Sequence, residues 1–350
     1  MTNAVKRDAN IELLRILLMG MIIGLHVLFF GGSFLWLPKS GTLFTAYFLE
    51  SLFSPAVNCF ILISGYFGVT SFFRKQKFIG LWGTAIFYSV LFSALYFALS
   101  GNPLRLSDIA RAFAPVITKR WWFLGCYLAM YLLSDFLNKL LLTLNKNEFR
   151  RLVTIGFFMF VALSTLSEFF SPITPLVDSG GYSLLYFLYL YTVGAYMRLH
   201  VKRLWRPALC AALFLASIFC SFALSSLFYS LSDKFDNAAP FWHYDSAPVF
   251  FAAVFLLAFF KQLSVTWQGF AVLSPLVFPV YLIHEHIHLR AFIYEALGWN
   301  RAYFGLEFLA RYFLSIIIIY ISCLAVEFAR SRLLAPVTKR IFARPKEEAL

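Results

Sequence analysis

The chain has 350 residues, 61% of them apolar, 20% aromatic and 13% charged, with a mean hydropathy of +0.76. A soluble domain carries about twice that charged share. The balance excludes a disordered chain, a secreted disulfide scaffold and an ordinary cytosolic enzyme, and it predicts an all-α, polytopic integral membrane protein. Thirty Lys and Arg against seventeen Asp and Glu leave a net charge of +13. On a soluble protein that excess would suggest nucleic acid. Here loop topology accounts for it, and no nucleic-acid partner is expected.

Ten apolar runs follow one another, near 13–35, 44–69, 79–99, 121–142, 152–170, 182–199, 207–229, 248–264, 270–289 and 306–328. A membrane-crossing helix needs roughly 20 such residues, so about ten transmembrane helices are expected. The first run begins after Lys6, Arg7 and Asp8 with no cleavage site before it, the pattern of a retained span. The longest breaks are 100–120, opened by Gly101, Asn102 and Pro103, and the polar stretch 230–247. With the N-terminus taken as cytoplasmic, twenty Lys and Arg fall on inner segments and eight on outer ones. Cytoplasmic loops carry such an excess, so both termini are expected inside. Residues 1–330 then form a single transmembrane domain, and 331–350 a short basic tail against the anionic inner leaflet. The five cysteines lie in apolar runs and are expected to be small buried hydrophobes rather than a disulfide framework.

Ionisable residues within apolar runs are expensive in hydrocarbon and mark cavities or pathways. Arg15 and His26 lie eleven residues apart. At 100° per residue they make three turns plus about 20°, so they share a helix face and are separated by roughly 16 Å along the axis. Arg15 falls near the cytoplasmic mouth and His26 near mid-membrane. An imidazole there can take a proton from a hydroxyl and return it to a leaving group. A guanidinium suits an anionic ligand such as a phosphate. The structural alternatives are an Arg that snorkels to headgroups and a His hydrogen-bonded between helices. Arg74, Lys75 and Lys77, opening the third run, would hold a phosphorylated ligand or simply be inner-loop charge. Glu50 and Arg311 fall in the outer half, either lining an outer cavity or pairing with each other. Asp135 with Lys139 and Glu327 with Arg330 have the spacing of helical ion pairs.

The ninth run ends in Tyr281-Leu282-Ile283-His284-Glu285-His286-Ile287-His288. On one continuous helix, His284-Glu285-x-x-His288 could bind zinc with the Glu as base, the arrangement of an intramembrane protease. That reading needs a third ligand, and no partner motif supplies one, so no metal is expected.

The ordered set of motifs resembles the bacterial membrane acyltransferases called acyltransferase family 3, which O-acylate surface polysaccharides. The resemblance rests on Arg15 followed after ten residues by His26, in the context Asn10-Ile11-Glu12-Leu13-Leu14-Arg15-Ile16. It extends to Phe60-Ile61-Leu62-Ile63-Ser64-Gly65-Tyr66, to Phe73-Arg74-Lys75 through Trp82, to Trp122-Phe123-Leu124 with Leu137-Asn138, and to Tyr281-Leu282-Ile283-His284. Two departures stand out. Many relatives carry a Glu a few residues after that Trp, where this chain has Tyr127, and many have Arg pairs where this one has Arg74, Lys75 and Lys77. No soluble esterase-like domain is expected after the tenth run.

The resemblance implies a bacterial inner-membrane O-acyltransferase. Acyl-CoA, most simply acetyl-CoA, would be a co-substrate with its phosphates near Arg15, Arg74, Lys75 and Lys77, and no bound cofactor is expected. His26 would act as general base or transient acyl carrier toward a hydroxyl of a glycan or lipid-linked oligosaccharide on the outer side. Lys119, Arg120, Trp121 and Trp122 would be acceptor-side contacts or an interfacial aromatic belt. His284, Glu50 and Arg311 are further acceptor-side candidates. The rivals are a lipid-linked glycan flippase, which would typically show internal repeats that this sequence lacks, and the zinc protease.

Overall fold

The computed structural model describes residues 8–118, 120–170, 175–177, 180–202 and 205–334. The described residues form helices joined by short connections, with no strand among them. Seven stretches are long and apolar enough to cross a membrane: Ala9–Phe30, Gly41–Gly68, Lys75–Ser100, Lys146–Ser167, Pro207–Ser232, Phe235–Phe260 and Gly305–Leu333. The pair Gly269–His284 and Ile287–Ala296, bent by 88°, raises the number to eight. Ten were expected. Helices occupy the two remaining runs, but Leu184–His200 has only 17 residues and Trp122–Thr143 carries Asp135, Asn138 and Lys139.

Backbone N–H and C=O groups have no water to bond in a bilayer, which is why the chain resolves into helices throughout. The stretch Gly41–Gly68 is deeply enclosed, whereas Lys75–Ser100, Pro207–Ser232 and Gly305–Leu333 turn most of their apolar surface outward. Phe219, Leu227, Leu314, Ile317 and Ile321 are exposed on these outer helices, an apolar belt suited to lipid.

The tightest contact joins Pro55–Gly68 to Leu184–His200. Gly65 lies against the carbonyl of Tyr191, and Gly194 against the carbonyl of Leu62. Glycine at both positions lets the two backbones touch, the usual device for close helix association in membranes. Side-chain amides tie the same region together. Asn58 donates to the Tyr244 carbonyl (2.7 Å), Asn138 donates to the Gly68 carbonyl (2.9 Å), and the Tyr191 hydroxyl donates to Asn138 Oδ1 (2.9 Å).

Two expected ion pairs resolve differently. Glu327 does pair with Arg330, at 2.7 Å, and also accepts from the Tyr88 hydroxyl at 2.6 Å. Asp135 does not meet Lys139. It accepts instead from the backbone amide of Phe73 at 2.7 Å, while Lys139 lies 6.0 Å from the Phe136 ring centre. A donor from a neighbouring segment outcompetes the helix neighbour, because the amide before the helix Lys75–Ser100 would otherwise lack an acceptor. The five cysteines form no disulfide among the described residues; Cys59, Cys210 and Cys323 are buried, Cys126 is half-buried, and Cys220 is exposed, contrary to expectation.

The glycine contact yields a stability test. Gly65→Ala would drive a methyl group into the Tyr191 backbone and is expected to destabilise the protein by about 1–3 kcal/mol, the usual cost of overpacking. Gly20→Ala, with nothing within 4 Å of its added carbon, is expected to be neutral or slightly stabilising. Thermal unfolding of the two variants in detergent checks the difference.

Candidate active site

The first helix, Ala9–Phe30, is unbroken, so Arg15 and His26 keep the face and the roughly 16 Å separation that helical geometry sets. Both line one cavity of about 1390 Å³. Arg74, Lys77 and Arg198 line it together with Asp8 and Arg15, and Trp122, Phe123, Tyr244 and Tyr281 line it together with His26. Along its wall run Val57, Phe60, Ser64, Phe67 and Ser71, spaced by three and four as one helix face requires.

His26 is 20% exposed and held at one nitrogen. Its Nδ1 lies 2.9 Å from His284 Nε2 and 3.1 Å from Glu285 Oε2. His284 Nδ1 lies 2.7 Å from the Val280 carbonyl. A carbonyl only accepts, so in a neutral His284 the proton sits on Nδ1 and Nε2 accepts. His26 must then donate from Nδ1, which leaves its Nε2 as an unprotonated lone pair with no partner among the described residues. This is the orientation a general base needs, with a carboxylate behind the ring to balance positive charge. Glu285 is in turn held by Arg290 at 2.8 Å, whose guanidinium lies 3.8 Å from the Phe30 ring centre.

The helix break makes this cluster possible. Val277–His284 ends at His284, Glu285 leaves helical geometry, and His286 caps Ile287–Ala296. Arg120 Nη1 secures the turn by donating to His286 Nε2 and Ser93 Oγ, both at 2.8 Å. The zinc reading falls with the break, because it requires His284 and His288 on one continuous helix face. Instead the His284 ring packs on His26 at 5.1 Å, while His288 stacks on Tyr96 at 4.2 Å. Among the described residues no group of three or more His, Cys, Asp or Glu could hold a metal.

A family model described as an acyltransferase domain, that of acyltransferase family 3, matches residues 8–328. The chain belongs to acyltransferase family 3. Neither a curated protein nor a solved structure matches it. The matched stretch contains every helix forming the cavity, so this acyltransferase carries the cationic end and His26 within its family domain.

The remaining sequence-derived candidates of the acyltransferase separate into three groups. Arg15 lines the cavity but is paired with Glu12 at 2.7 Å, and Glu12 also accepts from Ser274. The pairing leaves the rest of the guanidinium fork available, with 30% of the side chain exposed. Arg74, Lys77 and Trp122 line the cavity; Lys75 is exposed and does not. Arg120 is committed to the His286 turn, and Trp121, 1% exposed, packs on the same His286 ring. Those two brace the broken helix rather than face a substrate. His284 is fully buried behind His26 and does not line the cavity. Arg311 pairs with Glu307 at 3.0 Å and lies over Tyr303, so the expected alternative of a Glu50 pair is not formed. Glu50 Oε2 is buried without a hydrogen-bond partner. Lys119 lies outside the described residues, as do Lys6, Arg7, Arg203 and the tail from 335 onward.

Sequence reasoning missed three residues. Glu285 was weighed as a zinc-site base and is instead the carboxylate beside His26. Arg290 and Arg198 belong to the basic residues counted on the outer and inner segments, and nothing in their spacing connects them to His26 or Arg15.

The cavity has a direct chemical test. Ser64→Cys is expected to react with a water-soluble methanethiosulfonate, faster with an anionic reagent than with a cationic one, because Arg15, Arg74, Lys77 and Arg198 share the cavity. Leu215→Cys, exposed on an outward face of Pro207–Ser232, should stay unlabelled in lipid. Mass spectrometry reads both.

Proposed function

We propose that this acyltransferase is a bacterial inner-membrane enzyme that moves an acyl group, acetyl in the simplest case, from cytoplasmic acyl-CoA to a hydroxyl of a surface or lipid-linked glycan. In this reading ten helices cross the membrane and both termini are cytoplasmic, as the loop charges require. The CoA phosphates lie among Arg15, Arg74, Lys77 and Arg198, and the thin pantetheine arm carries the thioester toward His26. The acceptor arrives from the outer side, past Trp122, Tyr244 and Tyr281. One observation carries this reading: a single cavity is lined both by Arg15, Arg74, Lys77 and Arg198 and by His26, whose Nε2 has no partner among the described residues.

The chemistry then follows from the hydrogen bonds. His26 Nε2 takes the acceptor hydroxyl proton as that oxygen attacks the thioester carbonyl. The tetrahedral intermediate expels the sulfur, and Nε2–H returns the proton to the leaving thiolate as CoA-SH. Between the two transfers the ring is an imidazolium, and Glu285, 3.1 Å from Nδ1, stabilises it while Arg290 holds the carboxylate in place. No separate acid is required at Tyr127, since one imidazole serves both transfers. Membership of the acyltransferase family weighs against the flippase alternative.

Incubation of the purified protein with radiolabelled acetyl-CoA and candidate lipid-linked acceptors, with CoA release and labelled glycan as readouts, tests the whole reading. His26→Ala is expected to abolish transfer in a protein that still folds. Glu285→Gln should lower kcat by about 10²-fold or more, within the usual contribution of acid–base catalysis, and leave the donor KM near wild type. Wild-type turnover in either variant would refute the proton-transfer scheme.

The donor role of the guanidinium is tested separately. Arg15→Ala is expected to raise the KM for acetyl-CoA by about tenfold, the loss of one charge-assisted contact. The KM for acetyl-dephospho-CoA, which keeps the thioester but lacks one phosphate, should change less. An unchanged KM for acetyl-CoA would reject the phosphate contact.

A further inference from the structure

Glu50 takes no part in the chemistry above, yet its position is expensive. It lies in Gly41–Phe53, where Ser54 keeps helical backbone angles and donates its amide to the Glu50 carbonyl at 2.9 Å. The helical register therefore carries across Pro55 into Pro55–Gly68. Val57 lines the cavity. Seven residues span two turns less about 20°, so Glu50 shares the helix face of Val57 roughly 10 Å further along, just past the residues that line the cavity. The continuation runs outward from His26, away from the cationic end.

No hydrogen bond or ion pair to the Glu50 carboxyl exists among the described residues, and its Oε2 is buried. Arg311, the basic candidate of the outer half, is taken by Glu307. Trp242 Nε1 donates to Ser51 Oγ at 2.9 Å, which ties the segment carrying Tyr244 to the helix turn beside Glu50. Tyr244 belongs to an aromatic cluster at the cavity: Trp122 lies 4.5 Å from Tyr182 and stacks on Tyr244 at 5.8 Å, with Tyr182 and Tyr244 4.9 Å apart. A buried acceptor without a donor costs free energy that folding does not recover. Such a group is kept where a donor comes from outside the chain. Aromatic faces beside a carboxylate acceptor match the two surfaces of a pyranose, an apolar C–H face and a rim of hydroxyl donors.

We propose that Glu50 is the residue that recognises the acceptor: its carboxylate receives hydrogen bonds from hydroxyls of the acceptor sugar, whose ring lies against the Trp122–Tyr182–Tyr244 cluster. The inference rests on the proposed glycan acylation and adds to it the group that selects and positions the acceptor. Glu50 is not a proton carrier in this scheme, so its loss spares donor binding.

The test uses the full chain in lipid nanodiscs with acetyl-CoA and a glycan acceptor on which the wild type is active. Glu50→Gln is expected to raise the acceptor KM about tenfold or more, the loss of a charge-assisted hydrogen bond. The acetyl-CoA KM should stay unchanged. An unchanged acceptor KM, or equal changes in both substrates' KM values, would overturn the proposal. If Glu50→Gln fails to fold, Glu50→Asp keeps the charge but withdraws it by one methylene, and it carries the same expected split between the two KM values. A wild type that acylates no glycan at all refutes the proposed function instead, a result distinct from an indifferent Glu50 variant of an active enzyme.

Discussion

The contact between the middle of the first helix and the broken end of Val277–His284 organises this protein. A helix that stops inside a bundle leaves backbone carbonyls and polar side chains that must find partners within the chain, because hydrocarbon offers none. Here the Val280 carbonyl takes the His284 proton, His284 takes that of His26, and Glu285 turns back toward the same ring. Each bond determines the direction of the next. The chain of donors ends at a nitrogen with no partner among the described residues.

Bracing this break draws on side chains from distant segments. Arg120 reaches from the start of Trp122–Thr143 to His286 and Ser93, Arg290 locks Glu285, and Trp121 packs on the His286 ring. Cations near the break therefore neutralise and orient polar groups there. At the far end of the cavity, Arg74, Lys77 and Arg198 form no ion pair among the described residues, and only Arg15 is partly neutralised, by Glu12. The contrast between committed and available cations separates the supporting frame from the surface that can meet an anionic ligand.

Family membership and geometry support each other without being the same argument. The family model covers the chain from the first helix to near the end of the last, which establishes an acyltransferase. The cavity gives that activity an enclosed place, lined by Arg15, Arg74, Lys77 and Arg198 as well as by His26. Tyr127 lines the cavity, and the carboxylate beside the imidazole comes from Glu285 at the helix break.

Composition, hydropathy and the spacing of Arg15 and His26 were enough to predict an all-helical membrane protein with both residues on one helix face. These are local properties: the helical period and the cost of charge in hydrocarbon act within a single segment. The same local reasoning took His284 to Ile287 as continuous helix, since no proline or glycine marks the bend there. It also paired Asp135 with Lys139 and left Glu50 with Arg311 as a possible partner. Arg311 is in fact taken by Glu307, an i,i+4 neighbour on its own helix. Tertiary structure decided the other two: the turn at Glu285 is held by Arg120 from a connection distant in sequence, and Asp135 is claimed by the Phe73 amide. Which of several competing donors reaches a buried acceptor depends on how helices far apart in sequence pack, and helical periodicity carries no record of that.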